Sequence, residues 1–181
     1  MAQKPQIKEE IQIPQGVEIS IENNIVHVKG EKGSLSKALL YPKIEMKIED
    51  NCVKLSFSNS SHRKEKALMG TFSAHIKNMI KGVTEGFEYK MKTVFSHFPI
   101  KTSVEGNEFV IQNFLGERSA RRAKILDGVT VETKGEDITV TGFDKEKVGQ
   151  TVANIERATL VKKRDIRVFQ DGVYRISKGG R

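Results

Sequence analysis

The chain has 181 residues, a net charge of +8 and a pI of about 9.5, which favours an anionic partner, nucleic acid before a phospholipid surface. Its one cysteine, Cys52, excludes an internal disulfide and a cysteine-rich zinc site. Its first residues lack the apolar region of a signal peptide, and no stretch approaches the ~18 apolar residues of a membrane span, so we expect a soluble, cytoplasmic protein that does not contact membranes.

The first half of the chain reads as strands followed by one helix. After a polar start over residues 1–10, which we expect to be mobile, apolar and polar residues alternate over residues 17–28 and again over 44–57. Each stretch has turn residues at its middle, so each predicts a β-hairpin with one buried face. The polar run at residues 58–62 should then interrupt the strand pattern.

An amphipathic helix is predicted from Lys64, because the apolar period changes there from two residues to four. The helix should end at Gly82. Its buried stripe is expected to comprise Leu68, Phe72, Ile76 and Ile80.

The second half repeats this order. A long strand is predicted over residues 87–95, with its aromatic residues in the core, and alternation returns over 100–111 and 129–140. A second helix should begin after Asp144, a typical N-cap residue. Similar elements recur at an offset of 81 to 85 residues, which is the pattern of an internal duplication.

We therefore predict an α+β fold made of two tandem copies of a small unit. Each copy should be an antiparallel-rich β-sheet covered by one main helix. The first domain should comprise residues 1–82 and the second, with the basic segments described next, residues 83–181.

Positive charge in the second half is concentrated in two segments. Residues 115–124, the basic loop, carry a net +3, and residues 162–181, the basic tail, carry a net +5. Seven of the nine arginines lie in these two segments. Because a guanidinium can hold phosphate oxygens bidentately and stack on bases, the two segments predict contact with RNA or DNA.

Other kinds of site find little support in the sequence. The GEKG motif at residues 30–33 matches the nucleic-acid-binding loop of KH domains, but it follows a strand pattern and is better explained as a turn. The four histidines lack metal-ligand spacing, and no nucleophile or phosphate-binding motif is present. We therefore expect no metal, no cofactor and no enzymatic activity.

The stretch DIRVFQDGVYRISK, residues 165–178, together with Gln150, resembles the archaeal and eukaryotic branch of the large-subunit ribosomal protein six family. The duplication, the length and the sequence GERSARRAK of the basic loop agree with that resemblance. The chain departs from the family pattern after Tyr174, where Arg175 replaces the usual aliphatic residue and leaves the register of the last strand open. The first copy has no arginine-rich equivalent of residues 118–122.

The resemblance implies a structural constituent of the large ribosomal subunit, present in a single copy, that binds 23S-type rRNA mainly through its second domain. It implies a position at the subunit interface, at the base of the stalk and by the sarcin-ricin loop, with neighbouring ribosomal proteins and translation factors close by. The candidate rRNA-binding residues are Arg118, Arg121, Arg122, Lys124, Lys162, Lys163, Arg164, Arg167, Arg175, Lys178 and Arg181.

Two points stay open at this level. Phe169 and Tyr174 can stack on bases or anchor the basic tail, and the Asp171-Gly172 turn between them favours anchoring. The alternative function is a tandem protein-interaction module outside the ribosome, whose sheet edges pair with a partner strand.

Overall fold

The structure, a computed structural model, describes residues 8–41, 44–49, 51–57 and 63–179. Between Glu85 and Gly86 the chain divides into two compact units, here called the first and the second unit. The division lies three residues beyond the one predicted after Gly82, because the helix of the first unit continues to Thr84.

The first unit combines two three-stranded antiparallel sheets with one helix. The sheets have the strand orders β2-β3-β4 and β1-β6-β5. The elements are β1 (Lys8–Gln12), β2 (Glu18–Glu22), β3 (Ile25–Gly30), β4 (Gly33–Ala38), β5 (Ile44–Glu49), β6 (Cys52–Phe57) and α1 (Arg63–Thr84).

The two predicted hairpins of the first unit are confirmed. β2 and β3 are joined by Asn23 and Asn24, whose φ angles of 49° and 63° are those of the type I′ turn that matches the twist of a hairpin. Alternation along β3 brings Val26 and Val28 into the core, where both are fully buried. β5 and β6 pair in the same antiparallel manner.

Two strands of the first unit were not predicted from the sequence pattern. Residues 8–10 were expected to be mobile but lie in β1, which pairs with β6 and whose Glu9 accepts a hydrogen bond from Ser73 of α1 at 2.8 Å. Strand β4 carries Ser34 and Ser36 and so lacks apolar alternation, yet it pairs along its length with β3. Residues 1–7 and the predicted break at 58–62 lie outside the described residues.

Helix α1 supplies one side of the first core. Phe72, Ile76 and Ile80 are buried as predicted, and Met69 is buried beside them. Leu68 is only partly buried and packs at the margin of the cluster. In the N-terminal part of α1 the buried position is therefore Met69, one residue after the predicted Leu68.

The second unit repeats this plan and adds one strand. Its sheets have the orders β8-β9-β10 and β11-β12-β7-β13. The elements are β7 (Phe87–Val94), β8 (Lys101–Glu105), β9 (Glu108–Gln112), β10 (Arg121–Lys124), β11 (Val129–Lys134), β12 (Asp137–Gly142), α2 (Lys145–Ala158) and β13 (Gly172–Lys178), with a 3-10 turn at Phe114–Gly116.

The duplication is visible in the strand order, because β1-β6-β5 of the first unit corresponds to β7-β12-β11 of the second. Helix α2 begins as predicted at Asp144, whose carboxylate accepts hydrogen bonds from the backbone N–H groups of Glu146 and Lys147. Its buried face comprises Val148, Thr151, Val152 and Ile155. Strand β13 pairs with the outer side of β7 and was not predicted from the sequence pattern.

Candidate nucleic-acid interface

The last four residues of the predicted basic loop form a strand. Residues 121–124 form β10, which pairs with β9, and only the part before it is irregular. Since side chains alternate across a strand, Arg122 and Lys124 point to solvent and are exposed, whereas Arg121 and Ala123 point inward and are partly or fully buried. Arg118, ahead of the strand, is exposed.

Arg121, one of the candidate rRNA-binding residues, is hydrogen-bonded inside the protein. Its Nε and Nη2 donate to the two carboxylate oxygens of Glu117 at 2.8 and 2.6 Å. Its Nη1 donates to the backbone carbonyls of Ala158 at 2.9 Å and Leu160 at 3.1 Å. The guanidinium also lies over the ring of the buried Phe114, 4.2 Å from its centroid.

The electrostatics of this pair follow from its geometry. The hydrogen bond from Arg121 lowers the pKa of the Glu117 carboxyl from its ordinary value of 4.5, with a weaker contribution from the charge of Arg164. Glu117 is therefore ionised at neutral pH and neutralises Arg121 within the protein.

Arg122 is held more loosely. Its Nη1 donates to Glu108 at 2.6 Å and lies 3.6 Å from Glu105, while 55% of its side chain stays exposed. The hydrogen bond to Glu108 raises the pKa of Arg122. A guanidinium has five N–H donors in a planar fork, so Arg122 can keep its carboxylate and still present N–H groups to solvent.

The basic tail begins with an irregular segment between α2 and β13. Within it, Asp165 closes a single turn: its carboxylate accepts from the N–H of Arg167 at 2.9 Å and its carbonyl from the N–H of Phe169 at 3.0 Å. The cations of this segment are exposed. They are Lys162, Lys163, Arg164 and Arg167.

Both aromatic residues of the tail contact their own segment. The guanidinium of Arg164 lies 4.9 Å from the ring centroid of the half-buried Phe169. The hydroxyl of Tyr174 donates to the carbonyl of Gln170 at 3.0 Å, and its ring packs so closely on Gly172 that a Cβ there would lie 3.1 Å away. These contacts favour the anchoring interpretation, which stays a prediction.

The far end of the irregular segment is tied to the sheet by Asp171. This buried carboxylate accepts from the backbone N–H of Ser96 at 3.2 Å and from its hydroxyl at 3.0 Å. Next to it, the N–H of Val173 donates to the hydroxyl of Thr159 at 3.1 Å. The Asp171-Gly172 turn is therefore a fixed point from which β13 starts.

Strand β13 places the last cations of the tail along a sheet edge. Arg175 pairs with Met91, Ile176 forms a bulge and Lys178 pairs with Tyr89, which settles the register that the sequence left open. Arg175 is exposed, and its N–H donates to Glu156 of α2 at 3.2 Å. Lys178 is the last residue of the strand. Arg181 lies outside the described residues.

Sequence reasoning missed the apolar side chains of the tail. Ile166 is 68% exposed and Val168 71% exposed, on either side of Arg167. Leu160 and Ile176 are also exposed, at 56% and 62%. The available signal was the alternation of apolar residues with cations around Arg167, in a segment without helix or strand. Apolar residues in such a segment have no sheet face or helix stripe to bury them.

Three further expectations concern the GEKG loop, metal ligands and membrane spans. The GEKG loop is a turn between β3 and β4, as predicted, and a Cβ on Gly30 would lie 2.7 Å from Val83 Cγ2, so its glycine serves close packing on α1. Over the described ranges, no group of three or more His, Cys, Asp or Glu side chains is arranged to hold a metal ion. In the same part of the chain, neither helix is long and apolar enough to cross a membrane.

Two copies of one α+β unit, with exposed arginines gathered on the second, define a tandem α+β protein with a cationic C-terminal surface. The family model described as Ribosomal protein L6 matches residues 13–86 and 98–172, one segment for each unit. The chain belongs to the ribosomal protein L6 family, which confirms the resemblance seen in the sequence. This family is structural and not enzymatic, as expected.

A curated relative supports the same assignment. The chain is 53% identical over 172 residues to the large ribosomal subunit protein uL6 of Methanobrevibacter smithii, and the match covers 95% of this chain and 96% of that protein. The similarity therefore extends over both units and includes the basic loop.

Proposed function

We propose that this protein is a structural constituent of the large subunit of the cytoplasmic ribosome and binds 23S-type rRNA mainly through its second unit. The observation that carries the proposal is the clustering of exposed cations on two segments of that unit, the basic loop and the basic tail. The family and the name of the Methanobrevibacter relative supply the identity of the polyanion.

The proposed contacts are made to phosphates and 2′-hydroxyls. The deep groove of A-form RNA is closed to side chains, so exposed arginines and lysines dock by shape and charge and do not read base edges. The residues proposed to make these contacts are Arg118, Arg122, Lys124, Lys162, Lys163, Arg164, Arg167, Arg175 and Lys178.

The finer position follows the family resemblance. The proposed position is at the subunit interface, at the base of the stalk beside the sarcin-ricin loop, with other ribosomal proteins as neighbours and translation factors acting close by. At that position the protein stabilises rRNA structure for translation. The irregular part of the tail supports such a role, because its exposed cations and apolar side chains can follow an RNA surface.

Salt dependence tests the proposal. If about six phosphate contacts form, affinity for deproteinised large-subunit rRNA falls about a thousandfold between 50 and 200 mM salt. The double variant R164A/R167A removes two contacts and lowers the slope of log affinity against log salt by about 1.4 to 1.8. Filter binding across a salt series gives both quantities.

A matched control comes from the first unit. Lys64 and Lys66 are exposed on α1, so the variant K64A/K66A removes the same charge from the other copy. It should leave the slope within about 0.3 of wild type, since general electrostatics alone are screened at these salt concentrations. Equal losses from both double variants would contradict a site on the second unit. Salt-independent behaviour of the wild type would favour the protein-interaction alternative.

A further inference from the structure

We propose that Arg121 is a positioning residue: it holds the start of the basic tail for rRNA and does not itself contact phosphate. This inference rests on the proposed function and concerns how that site is organised. It separates Arg121 from Arg118, Arg122 and Lys124, which share its segment and are exposed.

Nearly all N–H donors of the Arg121 guanidinium are hydrogen-bonded within the protein. Of the five N–H groups of a guanidinium, four are directed at acceptors, two on Glu117 and one each on Ala158 and Leu160. The ring of Phe114 covers the guanidinium face, and 24% of the side chain is exposed. A phosphate could replace Glu117 only by breaking the bidentate pair.

The acceptors show what Arg121 holds together. Ala158 is the last residue of α2, where backbone carbonyls have no partner within the helix, and Leu160 lies in the irregular segment after α2, two residues before the basic tail. A cation at a helix C-terminus also interacts favourably with the helix dipole. One side chain therefore joins the basic loop, the end of α2 and the start of the tail.

The tail needs this support because its middle has no strand pairing. Its far end is fixed by Asp171 on Ser96, and its near end by Arg121 on Leu160. Between these points lie Lys162, Lys163, Arg164 and Arg167, where the turn at Asp165 and the contact of Arg164 with Phe169 are made within the segment itself. Fixing both ends in advance reduces the ordering entropy lost when the segment binds RNA.

Two isosteric variants should change the affinity for rRNA in opposite directions. E117Q removes one half of the Arg121 pair and should weaken binding to deproteinised large-subunit rRNA about fivefold, as expected for coupled neighbours. E108Q removes the matching partner of Arg122, an exposed arginine proposed to contact phosphate. Loss of that competing carboxylate should tighten binding about threefold.

R121K completes the test because it keeps the charge. A lysine ammonium cannot form the bidentate pair and reach both carbonyls, so affinity should fall about tenfold. The slope of log affinity against log salt should fall by at least about 0.7, which corresponds to the loss of one phosphate contact of the tail, although the net charge is unchanged. Binding within twofold of wild type for R121K, or tighter binding by E117Q, would show that Arg121 is a phosphate ligand and overturn the proposal.

Hydrogen exchange of the RNA-free protein keeps the two proposals distinguishable. The amides of Val168 and Phe169 are bonded to the carbonyl of Asp165, so in R121K and E117Q they should exchange at least about threefold faster. The amide of Val110 in β9 should be unchanged and shows that the variants are folded. If the wild type does not bind rRNA, the proposed function is wrong. If hydrogen exchange at Val168 and Phe169 is unchanged in the variants, the positioning role of Arg121 is wrong.

Discussion

The two units share six strands and a helix, yet they secure the C-terminal end of that helix by different means. In the first unit the backbone N–H of Lys32, in the tight β3–β4 turn, donates to the carbonyl of Val83 at 3.0 Å. In the second unit the side chain of Arg121 donates to the carbonyls of Ala158 and Leu160. The same need, satisfaction of the last helix carbonyls, is met in the first unit by Lys32, whose backbone N–H donates to Val83 and whose Nζ donates to the carbonyl of Glu85, and in the second unit by an arginine side chain.

The difference determines what the loop can carry. A backbone cap requires the chain to approach α1 closely, which restricts the first unit to a two-residue turn beside Gly30. An arginine reaches further, so the equivalent connection in the second unit can span residues 113–120 and present Arg118. The added strand β13 follows α2 after the irregular segment at residues 159–171. Arg122 and Lys124 lie in β10, the counterpart of β4, whereas the other exposed cations of the basic loop and the basic tail lie on parts of the second unit that have no counterpart in the described residues of the first.

The largest expected effect tests what the units have in common. Ile76 of α1 and Ile155 of α2 are both fully buried, so each change to alanine should lower the free energy of unfolding of its unit by about 2–5 kcal/mol. Leu68→Ala should cost less than Ile76→Ala, because Leu68 is only partly buried. Urea unfolding measures all three. Equal costs for Leu68→Ala and Ile76→Ala would contradict the placement of α1.

A smaller effect should be confined to the first unit. A Cβ on Gly30 would lie 2.7 Å from Val83 Cγ2 and 3.0 Å from its carbonyl oxygen, so Gly30→Ala forces the turn away from α1. We expect a loss of about 1–3 kcal/mol, as for overpacked sites. Gly70→Ala is the control, since a Cβ there meets nothing within 4 Å. Thermal unfolding with no difference between the two variants would contradict the close approach.

A comparable test addresses the tail of the second unit. Asp171→Ala leaves the N–H and hydroxyl of Ser96 without their acceptor and should cost roughly 1–2 kcal/mol. The Asp171-Gly172 turn, from which β13 starts, should become less ordered in this variant, so rRNA affinity should fall together with stability. Asp165→Ala, which removes an exposed contact to the N–H of Arg167, is the milder control. Unchanged thermal unfolding of Asp171→Ala would show that the tail is held elsewhere.

The smallest expected effect is on pH dependence. Arg121 lowers the pKa of Glu117 below 4.5, so the unfolded state binds the proton more readily than the folded state. The stabilisation is therefore present above pH 4.5 and is lost as the pH falls through the folded-state value. The pair is partly exposed, so its size should stay below about 1 kcal/mol.

E117Q provides the measurement for this effect. The difference in melting temperature between wild type and E117Q should be constant from about pH 6 to 7 and shrink below about pH 4.5. A difference that grows in acid would contradict a lowered pKa. E105Q is a suitable control, because Glu105 lies 3.6 Å from Arg122 and is more exposed.

Periodicity in the sequence predicted those elements whose burial alternates clearly. Val26 and Val28 lie on a period-two face, and Val148, Val152 and Ile155 on a helical one, so hydrophobicity alone indicates which side is buried. The strands that were missed lack this signal: β4 has serines on its outer face, and β13 is exposed on both sides from Tyr174 to Lys178, so its burial does not alternate.

The sequence by itself determined the duplication, the two helices, the family and the concentration of arginine in two segments. The tertiary structure decided which arginines are exposed. Arg121 and Arg122 are adjacent and chemically identical, yet strand alternation turns one outward and the other toward carbonyls 37 and 39 residues away. Hydrophobicity is a property of each residue and its pattern can be read locally, whereas the role of an arginine depends on acceptors that only folding brings within hydrogen-bond distance.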